Sequence, residues 1–564
     1  MISVSGKIYK ETKINKNKTE KLKQDHDFSE LVSKIIISRN FDEDEIYSIN
    51  NQISLNNIFV KNTDYEKSLN IFIDTIKKNE KICILGDYDV DGSAATSLIV
   101  RFLRNINHPH FFYIPDREID GYGPSKILFK KLILQKPSLV VMVDCGSTSN
   151  EAIDYLNINN IKSIIIDHHE INKPYPCANS IINPKKNNGY KQYDYLCATT
   201  LTYFFLDLLS KKIKFKINIK DYLIYVLLAT VCDVMPLRKL NRLIAIEALK
   251  NFDIKNFLSF NEIYKFKEID SKISVNHLGY LIGPILNSGG RLGKSNYATE
   301  LLSSDNEDFA VNRTDKLIKL NEKRKKIEDK ILSQVDFTKI DKNNKNIIIL
   351  YDSSINEGLI GIIAARLKDY FNKPSIVITN SNEVLKGSAR SIDNFNIGTV
   401  IKNAVDENIL ITGGGHNMAG GFTLKKKMIN NFQLYIEKSY KNLRIKNSNI
   451  FNYDSKISSF AFNKNFYDEI SKLEPFGNGN PEPTFLFENL KIIKKNIIKK
   501  KHISCILKSK IGYSIRSISF NSINTKIAEY LLNYKKEINI IGQINENFWN
   551  NKKSLQLIIK DLII

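Results

Sequence analysis

The chain has 564 residues, too many for one hydrophobic core; at roughly 150 residues per domain the length implies three or four domains. With 42% hydrophobic and 26% charged residues it has the composition of an ordinary soluble globular protein. Lys+Arg outnumber Asp+Glu by 83 to 61, a formal +22 that favours a polyanionic partner, either nucleic acid or an anionic membrane surface. Lys- and Asn-rich runs such as 13–18 and 342–346 give compositional bias equal standing as the source of that charge, so the motifs must decide.

No apolar run approaches the roughly 18 residues of a membrane span, and the longest, around 223–232, is interrupted by Tyr225. The N-terminus is polar and lysine-rich, without the apolar stretch of a secretory signal. Six cysteines are present, none in a C-x-x-C pair; they read as free thiols of a reducing cytosol, not as disulfides or a zinc site. The expectation is a cytoplasmic protein with no membrane attachment.

Residues 1–50 are polar and weakly patterned, with one helix predicted near 28–38. From residue 81, short β-branched runs alternate with helix-length amphipathic segments. Strands are predicted at 81–85, 110–114, 138–143 and 161–166, and helices at 93–105, 149–156, 196–209 and 221–232. This alternation predicts an α/β unit with a mostly parallel sheet covered on both faces, which places ligands at the carboxyl ends of its strands. The charged stretch 305–334, with Lys323-Arg324-Lys325-Lys326 at its middle, predicts a long solvated connector helix. A second α/β block follows, with strands at 346–351 and 374–379 around a helix at 359–371, and ends in a glycine-rich loop at 413–421. Beyond about 451, five strands (484–487, 503–507, 513–520, 538–543, 554–559) and one helix (525–534) predict a small β-barrel of OB type. The expected boundaries are 1–50 for the polar N-terminal segment, 51–304, 305–340 and 341–445 for the two α/β domains and their connector, and 446–564 for the barrel.

Four acidic or histidine clusters lie at carboxyl ends of elements in the first block. Gly86-Asp87-Tyr88-Asp89-Val90-Asp91-Gly92 puts three carboxylates at i, i+2 and i+4 directly after a strand. Like charges this close repel unless metal ions neutralise them; the bland alternative is an Asp/Gly turn. An EF-hand loop is excluded, because Leu98 stands at the twelfth position, where a glutamate is required. The second cluster is Asp144 in Val-Asp-Cys-Gly, and the third is Asp167-His168-His169-Glu170 at the tip of the next strand, hard to explain by packing. The fourth, Asp233 before Met235-Pro236, would by itself pass for a helix cap. Together they form an oxygen-rich set with one or two imidazoles, which suits Mn²⁺ or Mg²⁺, as a pair of ions, better than zinc. Such a centre predicts hydrolysis of a phosphate ester or anhydride.

These four clusters, in this order, resemble the DHH phosphoesterase family, whose signature is Asp167-His168-His169 here. The resemblance implies metal ligands at Asp87, Asp89, Asp91, Asp144, His168 and Asp233. It implies a catalytic group of His169 on the scissile phosphate, Asp167 orienting the histidine pair, and Asp89. Members acting on small substrates carry a histidine four residues before the position of Asp89; Leu85 stands there, and the acidic first motif is similar to the exonuclease branch instead. Further segments resemble that branch: Pro115-Asp116-Arg117 with Gly121-Tyr122-Gly123, 286–292 with Asn287 and Arg291, and Gly387-Ser388-Ala389-Arg390 as a loop reading a DNA 5′ end. Gly413–Gly421, with Gly414, Gly415 and His416, resembles the signature of the associated DHHA1 domain, and 475–483 resembles a segment leading into an OB domain. A departure occurs at 354–361, where Ile355-Asn356 replaces the usual Trp-His.

The resemblance implies a 5′→3′ exonuclease of single-stranded DNA that releases mononucleotides in repair and recombination. Its DNA contacts would be Arg117, Tyr122, Asn287, Arg291, Ser388, Arg390, Gly414, Gly415 and His416. Tyr513, Phe520 and Trp549 are barrel candidates for base stacking. Single-stranded DNA is the implied partner, with a single-strand-binding protein and a helicase as further partners, and the protein is expected to be monomeric. Two other readings are a phosphodiesterase of short oligonucleotides or cyclic dinucleotides and a non-catalytic single-strand-binding scaffold. Because all four clusters lie in the first block, removal of residues from about 451 onward is expected to weaken binding of long single strands yet to preserve hydrolysis of very short ones, provided the rest still folds.

Overall fold

The structure is a computed structural model that describes all residues except 117–119, 122, 187–189, 216–217, 336–339, 341–345, 382, 443–449, 511–513 and 550–551. Its first sheet is built from Ile82–Gly86, His110–Tyr113, Leu139–Val143, Lys162–Ile166 and Ser180–Ile182. These five are all parallel, with His110–Tyr113 at one edge, Ile82–Gly86 beside it, and the other three following in chain order. Strands Ile82–Gly86 and Leu139–Val143 carry no polar side chain, because both faces of the sheet are buried there. Ile82, Ile84, Leu139, Val141 and Val143 pack on the side of helices Val90–Asn105, Ala198–Ile213 and Leu223–Cys232. Cys83, Leu85, Val140 and Met142 pack on the opposite side, against Lys126–Leu132 and Asn150–Ile158. The parallel α/β expectation holds. The strand Ser180–Ile182 and the helix Thr63–Lys77 are additions, the strand being too short to carry a pattern of its own.

The helix Glu307–Gln334 spans 28 residues, but it is not solvated all round: Ala310, Thr314, Leu317, Arg324 and Glu328 are buried. Arg324 sits in the middle of the basic run yet pairs with Glu328 at 2.9 Å, and Glu328 also meets Arg366 at 2.7 Å, which ties the helix to the second α/β unit. The sheet of that unit runs Thr412–His416, Ala419–Leu424, Val384–Arg390, Ser375–Ser381, Ile348–Tyr351, with only the last pair parallel. Two sequence expectations are corrected here. Gly387–Arg390 lies in a central strand, not a loop; every second residue points inward, and the ring of Phe422 fills the space a Cβ on Gly387 would need, 2.1 Å away. The glycine-rich segment 413–421 is a β-hairpin, not a loop, and its glycines admit the helix Ile397–Asp406: a Cβ on Gly413 or Gly420 would lie 2.6 or 2.5 Å from Ile401. Glycine content masks the apolar alternation of all three strands.

The C-terminal unit is a closed five-stranded barrel of Phe485–Ile498, His502–Lys508, Ser514–Ser519, Lys552–Ile563 and Ile538–Trp549, with the first and last strands paired. The helix Lys526–Asn533 packs beside it, as expected. The first 50 residues contain more order than their pattern predicts. Strand Ile8–Glu11 pairs in parallel with Ile450–Tyr453, the Val4 N–H donates to the Leu562 carbonyl at 2.9 Å, and helices Lys16–His26, Glu30–Ser38 and Glu43–Asn50 follow. Phe28, Val32, Ile35 and Phe41 share a core with Leu473, so the N-terminus is folded onto the C-terminal part of the chain. Among the described residues no helix is long and apolar enough to cross a membrane.

Candidate active site

Parallel strands end together, so the turns after Ile82–Gly86, Leu139–Val143 and Lys162–Ile166 deliver Asp87 to Asp91, Asp144, and Asp167 to His169 to one edge of the sheet. Gly92 permits the first turn: a Cβ there would lie 2.5 Å from the Asp87 backbone. Asp89 caps the helix Val90–Asn105 by accepting the Gly92 N–H at 3.1 Å. Asp144 takes a left-handed φ of 60°. Asp233 arrives from elsewhere, as the C-cap of Leu223–Cys232. His168 gathers the set: its Nε2 lies 3.2 Å from Asp144 Oδ1, 3.6 Å from Asp233 Oδ2 and 3.7 Å from Asp91 Oδ2. Three overlapping groups, Asp87/Asp89/Asp144, Asp91/His168/Asp233 and Asp144/His168/His169, each keep their ligand atoms within 4.8 Å.

The donor set fits divalent cations. Asp144 Oδ1 and Asp233 Oδ2 are buried and accept no hydrogen bond among the described residues, a costly state for a carboxylate oxygen that a bound cation would relieve. Burial and the neighbouring aspartates push Asp144 and Asp233 well above the usual carboxylate range, and burial with Asp89 pushes Asp91 up to about 6. Burial, then His169, holds His168 well below its ordinary value, so it offers a neutral nitrogen. Asp91 is also bonded to the N-terminus of helix Ala198–Ile213, accepting the N–H groups of Ala198 and Thr199 at 2.8 Å each, which fixes its direction.

Asp167 is differently occupied. It accepts the N–H groups of Ser147 (3.1 Å), His168 (2.8 Å) and His169 (3.1 Å) and lies 2.8 Å from His169 Nδ1. Behind it, buried Asn183 donates to Ser147 Oγ at 2.8 Å and to the His169 carbonyl at 2.9 Å. Sequence reasoning passed over Ser147, Asn183 and Lys185; the signal available was the Asn-Pro-Lys following strand Ser180–Ile182 on the same sheet edge. Lys185 reaches Glu170 at 3.1 Å.

The second α/β unit closes over this edge. The ring of His416 lies 6.3 Å from that of His169, the two planes 25° apart, so the tip of the glycine hairpin faces the cluster. A Cβ on Gly414 would meet nothing within 4 Å, whereas Gly415, at φ +155°, has no space for one, with the Ala419 carbonyl oxygen 2.2 Å away. Ser388 and Arg390 lie together on their strand, Arg390 Nη1 donating to Ser388 Oγ at 3.2 Å, beside Gly361 near the start of helix Ile360–Phe371. Asn287 and Arg291 are on the helix Gly283–Arg291; Gly290 packs on the Tyr88 backbone, and Gly358 of the second unit packs on the Arg291 backbone. Arg117, Tyr122 and Tyr513 lie outside the described residues. Phe520 is 52% exposed on the barrel beside His502, and Trp549 ends a barrel strand. Ile355, at the departure from the usual Trp-His, is buried, and its carbonyl accepts from Thr379 Oγ1 at 2.6 Å.

A parallel sheet whose carboxyl edge carries this aspartate–histidine cluster, facing a second α/β unit, defines a DHH-type protein. The domain matches agree: the DHH family N-terminal domain covers residues 81–230, the DHHA1 domain 344–442 and the RecJ OB domain 453–561. The chain thus carries a DHH domain, a DHHA1 domain and a RecJ OB domain, in that order. It is 28% identical to the single-stranded-DNA-specific exonuclease RecJ of Bacillus subtilis (strain 168), over 98% of this chain and 70% of that protein. It is 29% identical to the RecJ of Haemophilus influenzae, over 88% of this chain and 89% of the relative. The crystal structure of RecJ in complex with Mn²⁺ from Thermus thermophilus superposes with a TM-score of 0.82 at 20% identity, covering 99% of this chain and 79% of that one, which establishes the common fold.

Proposed function

We propose that the chain is a metal-dependent exonuclease that hydrolyses phosphodiester bonds of single-stranded DNA from the 5′ end, releasing mononucleotides, in DNA repair and recombination. The observation that carries this reading is the convergence of Asp87, Asp89, Asp91, Asp144, His168 and Asp233 at one sheet edge, where buried Asp144 Oδ1 and Asp233 Oδ2 accept no hydrogen bond among the described residues. The names and chain-length similarity of the RecJ relatives support the substrate. Those six residues would hold one or two Mn²⁺ or Mg²⁺ ions. When bound, such ions supply activation of water and neutralisation of charge on the phosphoryl group. His169 has its Nδ1 occupied by Asp167, which leaves Nε2–H to donate to a phosphoryl oxygen. Asp167 orients it, Lys185 and His416 offer positive or hydrogen-bonding contacts across the cleft, and Ser388 with Arg390 takes the 5′ phosphate. The protein works as a cytoplasmic monomer, with a single-strand-binding protein and a helicase as partners.

End-labelled digestion of single- and double-stranded DNA with Mn²⁺, Mg²⁺ or EDTA tests the reading. Mononucleotides should appear from single strands only and require the cation. Turnover confined to dinucleotides would point to a short-oligonucleotide phosphodiesterase, and tight binding without cleavage to a scaffold.

A further inference from the structure

Asp233 leaves its helix through a two-bond turn: the Val234 N–H donates to the Val231 carbonyl at 3.2 Å and the Met235 N–H to the Thr230 carbonyl at 2.9 Å. This is the Schellman arrangement, which places the residue after the cap in the left-handed region, where glycine or asparagine is usual. Here that residue is Val234, at φ 57°, a β-branched side chain for which the region is disfavoured. Val234 is 66% exposed, so the packing of its own side chain does not offset the cost.

The turn is held from 244 residues further along the chain. Asn478 donates from Nδ2 to the Val234 carbonyl, and its backbone carbonyl accepts the Leu237 N–H at 2.7 Å, so one residue brackets the segment 234–237. Asn478 itself is fixed by a turn closed through reciprocal backbone bonds of Gly477 and Asn480, at 2.8 and 3.1 Å. Asn480 is fully buried, donates to the Leu473 and Pro475 carbonyls at 3.0 Å each and accepts from Arg39. Gly479, at φ +74°, lies against the segment 236–238 so closely that a Cβ would stand 2.9 Å from Arg238 Cγ and 3.2 Å from Pro236 Cβ. From the opposite side, fully buried Glu45 accepts Arg238 Nε and Nη2 at 2.7 Å each and the Lys239 N–H at 2.8 Å. The other members of the cluster are carried by the parallel sheet; Asp233 is presented by a strained turn clamped between the two ends of the chain.

We infer that Asn478 is a positioning residue for Asp233: its side-chain bond to Val234 holds the left-handed turn that directs the Asp233 carboxylate at His168. The inference rests on the reading of Asp233 as a metal ligand. The C-terminal segment 475–483 is then part of the machinery that shapes the metal centre, besides leading into the barrel.

Mn²⁺ binding to the full chain, followed by the electron paramagnetic resonance of free Mn²⁺, tests this alongside kcat and KM for a single strand. Asn478→Ala should weaken Mn²⁺ binding about 10- to 100-fold, the usual loss for an outer-shell contact, and lower kcat at fixed Mn²⁺ while KM stays. Excess Mn²⁺ should restore the rate. Val234→Gly removes the left-handed cost, so the double variant Asn478→Ala/Val234→Gly should regain most of the lost affinity, which a general loss of folding would not allow. Wild-type affinity in Asn478→Ala, or a loss that Val234→Gly does not repair, overturns the inference. If the wild type binds no Mn²⁺, or His168→Ala binds it as tightly as the wild type, the metal-centre reading fails and the inference with it; loss in His168→Ala with none in Asn478→Ala sinks the inference alone.

Discussion

Asp167 Oδ1 and His169 Nδ1 lie 2.8 Å apart, while Asp167 also accepts three backbone N–H groups. Burial alone would raise the Asp167 carboxyl, but His169, His168 and these donors hold it far below the usual range, so it stays ionised and the proton of the pair sits on Nδ1. Burial would likewise depress His169, yet Asp167, with Asp87 and Asp233 behind it, raises it to about 10. Asp167→Asn keeps the shape and removes the charge. It should lower cleavage by about 10- to 100-fold with single-strand affinity unchanged. Steady-state rates beside a binding isotherm check this, and a near-wild-type rate would remove Asp167 from the orienting role.

Loss of a proposed direct ligand should be more severe. Asp89→Ala or His168→Ala should abolish detectable cleavage and leave DNA binding largely intact, because affinity rests on basic groups away from the cluster. Nuclease assays and filter binding on the same preparations decide it; either variant within a few-fold of wild type would falsify the metal assignment of that residue.

Much of this centre was legible in the sequence because its residues stand at strand ends, where an apolar run followed by an acid locates both the sheet and its edge. Asp87, Asp89, Asp91, Asp144 and His168 are of that kind, and the structure brings them together. What was not legible depends on long-range approach. Ser388 and Arg390 looked like loop residues because Gly387, emptied to admit the Phe422 ring, breaks the strand pattern. Arg324 looked like solvated charge until Glu328 and Arg366 were placed around it. Asp233 read as a cap, which it is, but nothing local indicates that Asn478 grips the turn behind it. Asn478 lies past residue 451, so the inferred grip on that turn bears on the expectation that hydrolysis of very short strands survives removal of the C-terminal part.

The carboxylates make metal-free stability depend on pH in an unusual direction. Asp91, Asp144 and Asp233 have folded-state pKa values above the ordinary value, Asp91 at about 6. A raised acid means the folded chain holds protons that the unfolded chain has released. Its contribution to stability is therefore lost as pH rises from the ordinary carboxylate value through about 6 and beyond. A bound cation takes the place of those protons, so Mn²⁺ should raise the melting temperature more at about pH 8 than at about pH 5.5, relative to EDTA. Thermal melts across that range test it, and a Mn²⁺ effect that does not change with pH, or shrinks as pH rises, would count against the cluster as the binding site.

The final prediction concerns the strand end. Ser388 and Arg390 sit side by side near the first turn of helix Ile360–Phe371, where backbone N–H groups favour an anion. Arginine pairs with phosphate through two parallel bonds, so a 5′-phosphorylated strand should be held in register with the cluster better than a 5′-hydroxyl strand. Because both residues lie on a central strand, their position within the second α/β unit is set by its sheet and not by a loop. Cleavage should then be faster on 5′-phosphorylated DNA, with mononucleotides as the early product. Arg390→Ala should erase most of that preference, at a cost of about 1.5–3 kcal/mol for the lost charge-assisted bond. Paired time courses on 5′-phosphate and 5′-hydroxyl strands, each labelled at one end, provide the measurement. Label leaving the 3′ end first, or an Arg390→Ala enzyme that still prefers the phosphate, would refute the assignment of these two residues while leaving the metal chemistry intact.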